Sequence, residues 1–352
     1  MNTMKISLLI FFISIFSIFS CSHNNTYEES KQFTINDFNK SEDLKGVILN
    51  FDSMIMRPTG LMVTDSFLII IEPSMDKLFT IFNLKDKKAI GKRINKGQGP
   101  EDMIRPRFLG AKANVIQIMD MATSTMFEYE KTEFINNTDP KPIYRIKLEY
   151  PIFIDAEIVN NNIVGFFDDN LYQLKLFDLQ GKEFSKFAPF PTSNIPFTEM
   201  EKKEVFYMNF TTNGIDKIVL CYYMTDLIEI YNIDGSLKKR LHGPDQFISR
   251  VKEYHDGEIS GSSPVKGSNR DAFFSPEKAG DEFFVLYNGG SIDDPGHSSS
   301  CNQLFTFTWD GTPQKIYNLN NPIFSFTVDE INKTIYGISN TPEYHIVEYK
   351  YK

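Results

Sequence analysis

Past the first twenty residues, short apolar runs alternate with polar turns, and nothing keeps a helical period for more than about two turns. A unit recurs: an apolar strand, a polar turn, a strand closing on aromatic-x-aliphatic or aromatic-x-aromatic, a turn and a further strand. The aromatic position is Phe82, Phe127, Phe177, Tyr231, Phe307 and Tyr349, at intervals of 45, 50, 54, 76 and 42. Four intervals suit a four-stranded propeller blade of roughly 40–50 residues, and the 76-residue one must hold insertions. Second strands are expected near 68–72, 115–120, 163–167, 218–223, 283–287 and 334–338, and third strands over 77–84, 125–130, 172–179, 227–233, 303–309 and 344–349. Asp234-Gly235, Asp310-Gly311 and Gln180-Gly181 supply tight turns after third strands.

Six third strands predict an all-β, six-bladed β-propeller. The last blade ends at the C-terminus without an outer strand. Strand-like pieces within 32–54, such as 45–51, predict that an N-terminal strand closes the ring and removes open edges. Seven blades or two β-sandwiches are the competing architectures.

Composition agrees with this. At 41% hydrophobic and 24% charged the chain can bury a core. Its 32 Phe and 16 Tyr against one Trp lean towards β structure. A formal charge of −9 argues against a nucleic-acid partner, which would meet a basic face. Three cysteines cannot build a disulfide framework.

The N-terminus carries one charged side chain, Lys5, before an apolar run over 6–19. The run is short for a membrane span of ~20 residues and fits the apolar region of a signal peptide. It ends in Ile18-Phe19-Ser20-Cys21, which resembles a bacterial lipobox, with Phe19 bulkier than the usual occupant. The resemblance implies cleavage before Cys21 and lipidation there; an ordinary secretory signal is the alternative. The expected organisation is a lipoprotein signal peptide over 1–20, a polar tether over 21–31 and the propeller over 32–352. No second long apolar run exists, so membrane attachment would be through the lipid, made durable by several acyl chains. Ser22 carries no acidic inner-membrane retention signal, which favours the outer membrane, facing the periplasm or the cell surface.

The stretch Asn95-Lys96-Gly97-Gln98-Gly99-Pro100-Glu101-Asp102 resembles the K-G-x-G-P-G-E segment of six-bladed, TolB-like and NHL-like propeller lipoproteins of Bacteroidota, with one glycine missing after Pro100. His242-Gly243-Pro244-Asp245-Gln246-Phe247 is a fainter echo, and residues 115–127 resemble an NHL repeat. The resemblance implies fold and location more than activity. In physical terms the glycines would allow positive φ and the proline would fix the exit towards the next inner strand.

Motifs for chemistry are missing. There is no G-x-S-x-G, no P-loop, no C-x-x-C and no H-E-x-x-H, so no catalytic residue, metal ligand set or cofactor is assigned. The five histidines are scattered, although a propeller can gather ligands from several blades at its channel. Asp293, Asp294 and His297 read as a Ca²⁺ or Zn²⁺ fragment or, more simply, as a solvated loop. Glu72, Asp120 and Asp168 follow second strands and could ring a mouth, but turn-capping is the simpler role. Cys221 reads as a buried strand residue and Cys301 as a loop residue, with their pairing open.

Strand alternation places the long segments 187–204, 252–270 and 288–302 on one face. Loops over a rigid scaffold concentrate binding residues. The candidate ligand-binding residues are Arg105, Arg107, Tyr254, His255, Arg270, Asn288 and His297. The three arginines are expected to lend that face positive charge suited to carboxylates or acidic glycans. The function expected is a lipid-anchored cell-envelope module that binds a protein or glycan partner through its loop-rich face. The alternatives are a metal-assisted hydrolase or lyase at the channel mouth, and an envelope scaffold acting through protein contacts.

Overall fold

The computed structural model describes residues 25–112, 114–150, 155–167, 169–257 and 259–352. Cys21, the signal segment and Asp168 lie outside them. The described strands form six blades of four antiparallel strands. Their first strands are Gly60–Thr64, Pro106–Lys112, Asp155–Val159, Met208–Thr212, Phe273–Ala279 and Ser325–Asp329. Each touches the next and the last touches the first, which closes a ring around a channel. A separate hairpin, Val251–Asp256 with Ile259–Pro264, stands outside the blades in the link from blade 4 to blade 5. It and the loop after Glu282–Tyr287 are the insertions in the 76-residue interval.

The apolar runs become second strands because those strands are covered on both sides. In Phe67–Ile71, Val115–Asp120, Lys217–Tyr222 and Glu282–Tyr287 every residue after the first is buried. The cores lie between blades: Ile69 and Phe79 of blade 1, for example, meet Ile118 and Phe127 of blade 2. Burying each such side chain contributes about 1.5–3 kcal/mol.

The N-terminal segment does close the ring. Val47–Leu49 pairs antiparallel with His345–Lys350 as the outer strand of blade 6, with Leu49 opposite Ile346. It also does more than the sequence indicated. Ser30–Gln32 lies parallel on Leu237–His242 of blade 4, and Lys40–Leu44 parallel on Pro313–Ile323 of blade 5. The segment therefore straps the outer edges of three consecutive blades and covers backbone that would otherwise offer open pairing sites. Phe33 and Phe38 anchor it edge-on against Phe307, at ring distances of 5.6 and 5.3 Å. Tyr27 is fully buried and its hydroxyl lies 2.7 Å from Thr225 Oγ1, so the fold begins inside the stretch read as a tether to residue 31.

Two local expectations are met differently. Gly181 has the positive φ its turn demands, +83°, and a Cβ there would lie 2.3 Å from the Lys147 carbonyl oxygen. Gly97 and Gly99, by contrast, do not sit at positive φ. They are required because the Asp102 carboxylate folds over them: a Cβ at Gly97 would fall 2.4 Å from Asp102 Oδ2, and Gly99 N donates to that oxygen at 3.1 Å. Cys221 and Cys301 are both buried free thiols, the latter opening a strand rather than lying in a loop. Among the described residues no helix is long and apolar enough to cross a membrane.

Candidate functional site

Strand direction puts the blade-to-blade links and the second-to-third loops on one rim, and the three long segments all emerge there. They are bonded together. The helix Glu199–Val205 in the first link meets the hairpin of the second, and Thr198 Oγ1 donates to Glu253. The second link joins the 288–300 loop where Gly267 N donates to Asp293 Oδ2 at 2.6 Å. Asp271 accepts from Ser299 Oγ at 2.9 Å and pairs with His297 Nε2 at 2.8 Å. Three insertions distant in the chain thus make one platform over blades 3 to 5.

The candidate residues divide by role. Tyr254, 46% exposed, and His255, bonded to Ser260 Oγ at 2.8 Å, project from the hairpin. Asn288 braces its loop, donating to the Ser298 and Ser300 carbonyls at 2.9 and 3.1 Å. Arg270 pairs with Asp245, donates to the Gly289 carbonyl and stacks over Phe247 with its guanidinium carbon 4.5 Å from the ring centre. Asp293 caps a backbone amide and His297 serves Asp271, which accounts for the suspected metal fragment as loop architecture. Among the described residues, no three His, Cys, Asp or Glu side chains converge as a metal would require.

The acids after second strands hold the incoming links. Glu72 Oε1 accepts from Met56 N at 2.5 Å, and Asp120 Oδ1 accepts from Ile104 N and Arg105 N at 3.2 and 2.8 Å. Asp226 takes three successive amides, those of residues 245 to 247. Asp120 thereby sets the chain that delivers Arg105 and Arg107 to the channel.

Beneath the platform lies a cavity of about 780 Å³, within the usual range for ligand sites and lined by all six first strands. Its polar cluster comes from four blades. Arg107 of blade 2 pairs through Nε with Asp155 Oδ1 of blade 3. Glu157, two residues along the same strand, shares the face of Asp155 and accepts from Thr212 N at 2.8 Å. Glu277 of blade 5 faces the same space. On blade 4, Asn209 accepts from the Tyr223 hydroxyl.

Desolvation dominates the electrostatics here. Burial pushes Asp155 up to about 6 against the pull of Arg107. It pushes Glu277 up to about 8, again against Arg107 and aided by Asp155. Glu157 is raised well above the ordinary value by burial, with Asp155 and Glu277 adding to it. The expected cationic patch is therefore corrected: Arg107 sits among three carboxylates and Arg270 is tied to Asp245. The acids were missed in the sequence, although Asp155-Ala156-Glu157 puts two acids on one face of a strand, a usable signal.

A sequence profile of the family described as TolB-like 6-blade propeller-like matches residues 37–331. No curated protein sequence matches the chain. Among solved structures, Chaetomium thermophilum Raptor is similar with a TM-score of 0.50 at 8% identity; the match covers 87% of this chain and 28% of Raptor, so the chain spans less than a third of that protein. A Bacteroides fragilis protein described as exported has a TM-score of 0.49 at 12% identity, over 88% of this chain and 98% of that one. At such identities the likeness to Raptor speaks for fold alone. The profile covers most of the chain and the ring has six blades: the chain belongs to the TolB-like six-bladed propeller family.

Proposed function

We propose that this protein is a cell-envelope binding module, lipid-anchored at Cys21 in the outer membrane, that captures a protein or glycan partner on its loop-rich face. One observation carries the reading: three separate insertions are hydrogen-bonded into a single platform on one rim. A rigid ring with elaborated loops on one side suits recognition, and six-bladed propellers are a common binding and scaffold architecture. Tyr254 and His255 are the platform's exposed tips. Arg270, Asn288 and His297 hold its shape, and Arg105 and Arg107 lie at the channel entry below.

The test shortens the hairpin 251–264 to a tight turn and measures binding to immobilised envelope proteins and purified surface glycans. The shortened protein should keep its melting temperature and lose capture; undiminished capture would sink the platform reading. Anchoring is tested apart, by fatty-acid labelling of the wild type and Cys21→Ala. Equal labelling of the two would refute lipidation at Cys21.

A further inference from the structure

We propose that the channel beneath the platform is a second site, which takes an organic cation: a protonated amine carried on an apolar body. Glu157 and Glu277 line the upper channel, Asp155 is the ion-pair partner of Arg107 beside them, and the cation acting on all three is Arg107. Arg107 is already committed to Asp155 Oδ1. Asp155 is only 2% exposed and its second oxygen, Oδ2, makes no hydrogen bond of regular geometry, although the Asn209 side chain lies close enough to favour the ionised carboxylate. An open buried acceptor costs free energy unless something donates to it. Glu157 spends one oxygen on Thr212 N, and among the described residues the Glu277 carboxyl makes no hydrogen bond or ion pair. The cluster thus keeps its acids partly neutral for want of N–H donors, and an ammonium group would supply donors together with the charge that favours their ionised forms.

Shape agrees with charge. The blade 1 and blade 2 side of the channel presents Leu61, Met62 and Met121, so an apolar body has a wall to lie against while its head meets the acids. A carboxylate ligand would gain no free cation, since Arg107 is already engaged by Asp155, and its charge would favour the neutral forms of Glu157 and Glu277. The raised Glu277 carboxyl gives the binding a signature. At neutral pH it holds a proton, an arriving ammonium favours its ionised form, and that proton leaves to solvent.

The experiment is calorimetry on the full-length protein in detergent with hexylamine, hexanol and hexanoate as probes, in two buffers of different ionisation enthalpy. Hexylamine should bind at least roughly tenfold more tightly than hexanol or hexanoate, with net proton release at neutral pH. Glu277→Gln, which removes an ionisable group without removing bulk, should weaken the amine roughly tenfold and reduce the proton release. Glu157→Gln keeps an acceptor for Thr212 N and should weaken it likewise. Hexylamine binding no better than hexanol, or equally well in both variants, would overturn the channel site. The hairpin-shortened protein should bind hexylamine as the wild type does, so loss of the platform and loss of the channel site read out separately.

Discussion

Two arginine–carboxylate pairs lie inside this ring, one in blade 4 and one at the channel, and they are built to opposite ends. Arg240 donates through Nε to Glu229 Oε1 at 2.6 Å, and through its guanidinium to the Glu28 carbonyl of the N-terminal strap. The other oxygen of Glu229 accepts from Tyr222 at 2.7 Å and Tyr231 at 3.2 Å, and Gln173 donates to the Tyr222 hydroxyl at 2.9 Å. One cation meets one anion, and both carboxylate oxygens are used. At the channel, Arg107 meets three carboxylates, one of which leaves a buried oxygen without a hydrogen bond of regular geometry. A buried pair that is completed by hydrogen bonds holds architecture in place. A buried cluster left short of donors stays available to a ligand. Burial alone does not distinguish the two; the inventory of donors and acceptors does.

The largest expected effect follows from breaking the completed pair. Glu229→Ala leaves Arg240 buried without its counter-ion and takes the acceptor from two tyrosines. The loss should be roughly 3–5 kcal/mol, read as a shift in denaturation midpoint. Arg240→Met should cost a similar amount and also loosen the strap, exposing Tyr27 to hydrogen exchange. A cost under about 1 kcal/mol for either would erase the distinction drawn between the two pairs.

The sequence showed the blades because their second strands are buried on both sides and read as unbroken apolar runs, as in residues 68–71. It showed the closure because the last blade lacked a strand, and the one-sided loops because strand direction alternates. Ser30–Gln32 and Lys40–Leu44 were not legible: the first is three polar residues long and the second is mostly exposed on an outer edge, which leaves no periodic apolar signal. The channel acids were hidden for another reason. Arg107, Asp155 and Glu277 belong to three blades, and only ring closure brings them to one place. Reading the G-x-G-P glycines as needing positive φ failed because the constraint is a side chain, Asp102, lying where a Cβ would go.

A middling effect is expected at the channel arginine. Arg107→Met removes the cation from the cluster, but the side chain is 40% exposed to the channel and the acids can take up protons. The loss at neutral pH should be about 1–2 kcal/mol, well below that of Arg240→Met, because neutralisation is open to one cluster and not to the other. Equal losses from the two substitutions would mean that the channel cluster is structural as well.

The smallest effect, and the most diagnostic, is the pH dependence that Glu277 imposes. Its carboxyl titrates near 8 in the folded protein against an ordinary value of 4.5. Between those values the folded chain holds a proton that the unfolded chain has released, so stability falls as pH rises through the window and levels off above about 8. Asp155, raised to about 6, adds a fall of the same sign at lower pH. A paired carboxylate would behave in the opposite way, gaining stability as pH rises. Glu277→Gln should therefore flatten the curve between about pH 6 and pH 9 and stabilise the protein at the alkaline end by roughly 1–2 kcal/mol, a figure kept small because Glu277 is only half-buried and its charge is partly screened. Thermal melts of both proteins across that range are the measurement. Parallel curves would mean that Glu277 is an ordinary hydrated carboxylate, and the contrast between a completed pair and a starved one would then rest on Asp155 alone.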